Sequence, residues 1–134
     1  MRHLSLPLRT AAIAAVLVLS ACQTFGGSPK RPTLVTTANI TLGDSLFNNG
    51  ACQRCHGKGG VGAANAPALD GKKWLQLKTG SYDEIVKVIT EGVPQAAIKV
   101  PTHRFNMRAR GGPMNLTDAQ VRAVAAYVWT LSHK

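Results

Sequence analysis

The sequence predicts an all-α domain, about three main helices joined by long loops, and three observations carry that prediction. Two segments open on a capping box and then hold apolar residues at helical spacing. The first is Ser81-Tyr82-Asp83-Glu84 with Ile85, Val86 and Ile89 behind it, stopping at Gly92 with Pro94 beyond. The second is Thr117-Asp118-Ala119-Gln120, after which Val121, Val124, Ala125, Val128 and Leu131 keep the i, i+3, i+4, i+7 pattern of a buried face. The third observation is an earlier run, Thr41 to Phe47, with Thr41 as the expected N-cap, placed just ahead of a Cys-x-x-Cys-His pentapeptide.

Length and composition bound what such a domain does. A chain of 134 residues is one functional unit on the length prior, which argues against a multi-domain enzyme with a large cleft. Hydrophobic residues at 45% and charged residues at 16% are globular, but aromatics at 5%, thirteen Gly and seven Pro leave a thin core. The formal charge of +10 is too sparse for a nucleic-acid stripe and favours an acidic partner or an anionic surface. Three cysteines fall in two unrelated settings, Cys22 and the pair Cys52/Cys55, so a disulfide framework is not the natural reading.

Residues 1–21 run from Arg2 and Arg9 through an apolar stretch, Ala11 to Leu19, to small residues, which is the layout of a secretory leader. The stretch falls short of the ~20 residues a membrane-spanning helix needs. Leu19-Ser20-Ala21-Cys22 resembles the bacterial lipoprotein box, and that resemblance implies acylation of Cys22 and a membrane anchor there. Gln23 after the cysteine, by resemblance to Gram-negative sorting, implies the outer membrane and the periplasmic side. Residues 22–40, with Gly26, Gly27, Pro29 and Pro32 and no apolar periodicity, read as a flexible tether carrying Lys30 and Arg31.

Cys52-Gln53-Arg54-Cys55-His56 carries the chemistry. On a helical turn the two sulfurs share a face and the imidazole continues the turn, the arrangement in which two thiols add to haem vinyl groups and the histidine ligates iron. A thioredoxin-like pair needs a preceding strand and a βαβ context. A structural zinc site needs four ligands, and there is no second Cys pair or His-x₃₋₅-His. One covalent haem c is therefore the expected cofactor.

From Thr41 to Ser132 the chain resembles the class I c-type cytochromes, and residues 41–134 are expected to form that domain. The features arrive in family order: the helix ahead of the motif, His56-Gly57 with a glycine-rich loop to Gly62, then Pro67-Ala68-Leu69-Asp70-Gly71. The resemblance implies that the Pro67 carbonyl accepts the Nδ1 proton of His56. It implies that the last helix crosses the first near Phe47, through Val124 and Tyr127. Phe47 stands five residues before Cys52 where the family has four, and Asn49-Gly50 is the expected place for the extra residue. It further implies that Trp74 reaches a haem propionate; the remaining aromatics are read as core packing.

The sixth ligand decides the chemistry, because a thioether raises the potential and closes the iron, whereas an open site admits small ligands. Asn106-Met107-Arg108-Ala109-Arg110-Gly111-Gly112 resembles the ligand loop of small bacterial cytochromes, which implies Met107, although Arg108 stands where a proline is usual. Met114 is the runner-up and His103 the rival imidazole. The expected function is one-electron shuttling from a membrane-tethered position, without transformation of a substrate. Two alternatives stay open: a haem subunit of a dehydrogenase or oxidase, and a five-coordinate peroxidase or ligand-binding protein. Without Arg2 and Arg9 the charge is +8, and Lys99, Arg104, Arg108 and Arg110 are the expected face for an acidic redox partner.

Overall fold

The computed structural model describes residues 30–134. The expected leader and the expected acylation site at Cys22 lie outside the described residues. Among the described residues there are four α-helices: α1 (Thr37–Asn49), α2 (Cys52–His56), α3 (Tyr82–Glu91) and α4 (Asp118–Ser132). Single 3₁₀ turns punctuate the loops at Lys58–Gly60 and Gln95–Ala97, and a kinked 3₁₀ segment with non-helical Arg110, Gly111 and Gly112 spans Ala109–Met114. Among the described residues there are no strands, only two isolated bridges, Ala63 with Ala66 and Val93 with Met107. The all-α expectation, three main helices plus the short turn of the motif, is met.

Both capping boxes form as read. The Ser81 hydroxyl accepts from the Glu84 amide, the Thr117 hydroxyl from the Gln120 amide, and each N3 side chain bonds back to its N-cap. The start of α1 differs from expectation. Thr36, not Thr41, is the N-cap, its hydroxyl accepting from the Asn39 amide at 3.2 Å. Thr36, Thr37, Asn39 and Thr41 are all capping residue types, so local chemistry leaves the choice open. Burial of Val35 (2% exposed) and the bond from Asn39 Nδ2 to the Leu34 carbonyl at 2.8 Å decide it. The folded body therefore takes in residues 35–40, which the sequence reading assigned to the tether.

α4 is the axis of the fold. Val121 and every residue from Ala123 to Trp129 are buried, so the helix is enclosed on more than the single face its periodicity suggests. α1 crosses it on one side, with Phe47 and Tyr127 tilted at 52° and 5.4 Å between ring centres. α3 lies on another, tied by the Tyr82 hydroxyl donating to the Arg122 carbonyl at 3.1 Å. The crossing with α1 depends on Gly43. A Cβ there would overlap the Ala123 carbonyl oxygen and stand 2.9 Å from Tyr127 Cβ, so this helix approach admits no side chain.

One aromatic expectation changes. Phe105, read as core, is 63% exposed. His133 stacks on Trp129 at 4.1 Å and 10°, with its Nδ1 2.9 Å from the Trp129 carbonyl.

Candidate functional site

The pentapeptide forms α2, one short helix turned out of α1 through Gly50 and Ala51. Gly50 takes up the extra residue after Phe47 with extended backbone (φ −102°, ψ −161°), a break between helices in place of a bulge within one. Cys52 and Cys55 are both free thiols and half-buried. They line an apolar cavity of about 440 Å³ together with His56, Met107, Trp74 and His103. Phe47, Leu69, Ile85, Ile89, Val124 and Val128 supply its apolar wall from α1, α3, α4 and the intervening loop. A volume of this size with few convergent polar groups suits a flat apolar cofactor.

His56 is held from behind. Its Nδ1 lies 2.9 Å from the Pro67 carbonyl, and since a carbonyl oxygen only accepts, Nδ1 carries the proton and Nε2 keeps its lone pair. Burial pushes the His56 pKa below its ordinary 6.5, the Pro67 carbonyl pulls it up, and the nearby His103 lowers it again. The neutral, metal-ready form is thereby favoured. Burial likewise raises the pKa of the Cys52 thiol, with a further upward push from Cys55. The loop between His56 and Pro67 is closed by two backbone bonds, from the Gly62 amide to the His56 carbonyl and from the Leu69 amide to the Gly60 carbonyl, at 2.6 and 2.8 Å.

The two methionines part company. Met107 lines the cavity, its backbone clamped to Val93 by paired bonds of 2.8 and 3.1 Å across the base of the 94–106 loop. Met114 packs instead against Gly50, and its Sδ accepts from the Ala51 amide at 3.1 Å, just ahead of Cys52. His103 lines both the cavity and an adjoining outer cleft. The outer loop is fastened by Gln76 Nε2 to the Ala97 carbonyl and Lys99 Nζ to the Leu75 carbonyl, at 2.9 and 2.6 Å.

Two of the four expected docking cations are engaged within the chain. Arg110 adopts φ +52°, donates to the Leu116 carbonyl at 2.9 Å and pairs with Asp118 at 2.7 Å, at the start of α4. Lys99, Arg104 and Arg108 are all exposed, and of these Lys99 donates its ammonium to the Leu75 carbonyl at 2.6 Å.

The thiol pair, the backed imidazole and the apolar cavity are the donor set of a covalently held haem. The model of the family described as cytochrome c oxidase, cbb3-type, subunit III matches residues 38–128. The chain belongs to that family. Within it, the chain is 35% identical over 103 residues to the cbb3-type cytochrome c oxidase subunit FixP of Bradyrhizobium diazoefficiens, covering 77% of this chain and 33% of that protein. It is 34% identical over 103 residues to FixP of Azorhizobium caulinodans, covering 77% and 32%. The chain thus spans about a third of the length of these relatives. The crystal structure of cytochrome CL from Methylophaga aminisulfidivorans superposes with a TM-score of 0.55 at 24% identity, over 73% of this chain and 59% of that one. The fold is that of a c-type cytochrome, the cofactor of this cbb3-type domain is haem c, and the chain contains a Cys-x-x-Cys-His motif at Cys52, Cys55 and His56.

Sequence reasoning missed Gly43 and Asn48. The first has a readable signal, a lone glycine four residues before an aromatic on a helix; the second shows locally only its i−4 partner Asp44, its other two partners being 11 and 79 residues away.

Proposed function

We propose that this domain is a one-electron carrier whose iron is ligated by His56 and Met107 and whose chain is tethered to a membrane through Cys22. The observation that supports it most directly is that a backed imidazole and a thioether share the lining of one cavity with the two thiols. Haem c supplies a ferrous/ferric couple. Cys52 and Cys55 hold it, His56 presents Nε2, and Met107 offers a soft donor on a loop clamped at Val93. The apolar walls keep water from the metal and reduce reorganisation when the charge changes. Arg104 and Arg108 remain exposed for an acidic redox partner. Among the described residues no helix is long and apolar enough to cross a membrane, and attachment is assigned to the acylated cysteine.

Absorption spectra test the ligand set. The oxidised protein should show the weak sulfur-to-iron band, Met107→Ala should lose it and bind cyanide, and Met114→Ala should keep it. The reverse pattern moves the ligand to Met114; absence of the band from the parent protein removes methionine ligation and favours a ligand-binding protein. Cys22→Ser should release haem-loaded protein from membranes, and its retention in high salt would refute the tether.

A second reading, a fixed subunit of an oxidase, draws on the name shared by the FixP relatives. Co-purification with a membrane complex in mild detergent at high salt would favour it over a free shuttle.

A further inference from the structure

We infer that Asn48 is a positioning residue for the iron ligand, acting on His56 through the loop that follows it; the inference rests on His56 as the haem ligand. Asn48 lies on the last turn of α1, away from the cavity lining, yet its side-chain amide meets three different parts of the fold. Its Oδ1 accepts from the Gly59 amide at 2.7 Å. Its Nδ2 donates to Asp44 Oδ1 at 2.6 Å and to the Tyr127 hydroxyl at 3.0 Å. The orientation of the amide is forced, since a backbone N–H must face the carbonyl oxygen and a carboxylate must face the NH₂ group. The bonds to Gly59 and Tyr127 fall within the ordinary N–H···O range, and the one to the Asp44 carboxylate is shorter.

Gly59 is a backbone position with little to hold it otherwise. It sits at φ 70°, ψ 10°, a left-handed conformation, and no neighbouring atom comes within 4 Å of where its Cβ would lie. The adjacent Gly60 carbonyl accepts from the Leu69 amide at 2.8 Å, and two residues before Leu69 is the Pro67 carbonyl that orients the imidazole. Asn48 therefore pins the near side of the loop whose far side supplies the bond to His56 Nδ1. That bond sets the electron donation of the ring: a stronger Nδ1–H···O=C bond gives the imidazole more anionic character and favours ferric iron. Releasing Gly59 lets the loop relax, weakens the bond to Pro67, and shifts the balance to the ferrous form.

The test uses the haem-loaded protein, with the midpoint potential and the proton NMR signal of the His56 Nδ1–H in the ferrous state as readouts. Asn48→Leu removes the acceptor at similar size. It should raise the ferrous-to-ferric ratio at a fixed ambient potential by up to about tenfold, the low end of what losing an outer partner costs, and move the Nδ1–H signal upfield. The double variant Asp44→Asn, Asn48→Asp restores an acceptor for Gly59 and reverses the i, i+4 pair, and should return both readouts to near the parent values. Tyr127→Phe keeps the bond to Gly59 and should lower thermal stability without moving either. An unchanged potential and ring signal in Asn48→Leu would overturn the inference, as would an equal shift in Tyr127→Phe, which would assign the effect to helix packing. Should Asn48→Leu not assemble with haem, Asn48→Ala is read by the same criteria. A parent protein without a histidine-ligated spectrum would refute the ligand assignment itself, an outcome separate from these.

Discussion

Gly43→Ala probes the packing on which the haem cavity depends. The added Cβ would stand 2.6 Å from the Ala123 carbonyl carbon and 2.9 Å from Tyr127 Cβ, where carbon contacts are ordinarily about 3.5–4.0 Å. Both obstacles are backbone or Cβ atoms of α4, which no rotamer change can move. The helices must part by about 1 Å, and a gap of that size forfeits a quarter to a half of the dispersion well for each pair along the seam, Phe47 against Tyr127 among them. Overpacking of this kind costs about 1–3 kcal/mol, and here the upper end applies because rigid groups collide. Alanine returns about 1 kcal/mol through its better helix propensity. The net loss is about 2 kcal/mol, which in a domain of this size lowers Tm by roughly 8–16 °C. Thermal melts of the ferric holoprotein followed by far-ultraviolet circular dichroism measure it. A variant as stable as the parent would show that α1 and α4 are not in contact at Gly43, and the reasoning from this crossing would fall.

Met114→Ala removes the acceptor for the Ala51 amide and a half-buried thioether, and should cost about 2 kcal/mol in a denaturant titration while leaving the iron spectrum intact. Replacing Cys52 and Cys55 together by Ser should abolish covalent haem and, because a domain this small buries only somewhat over ~60% of its unfolded surface, the fold with it; a protease-resistant apo variant would contradict this. The Glu84 carboxylate accepts from the Thr79 amide and hydroxyl and from the Lys78 and Gly80 amides at 2.9–3.2 Å, which lowers its pKa from 4.5 to about 2. A group depressed in the folded state stabilises it above its unfolded value, so this contribution is whole above pH 4.5 and is lost as pH falls towards 2. Glu84→Gln should flatten the acid limb of a stability–pH profile in that window, and an unchanged limb would show that the carboxylate is not the responsible group.

Much of this domain was legible from its residues because the signals are local. A capping box closes within four residues, an amphipathic period within two turns, and Cys52, Cys55 and His56 share one helical turn, so Ser81, Thr117 and the pentapeptide declared their structures without reference to the rest of the chain. Where local chemistry was degenerate, tertiary contacts chose. Thr36 rather than Thr41 caps α1 because Val35 is buried, and the two methionines of one loop separate because the Val93 clamp carries Met107 to the cavity while Gly50 makes room for Met114 beneath Ala51. Arg110 pairs with Asp118 because the start of α4 lies within its reach. The same distinction explains Asn48, whose side chain joins Asp44, Gly59 and Tyr127. A sequence specifies its short-range bonds residue by residue, whereas bonds between distant segments exist once the core has closed and set the distance between them.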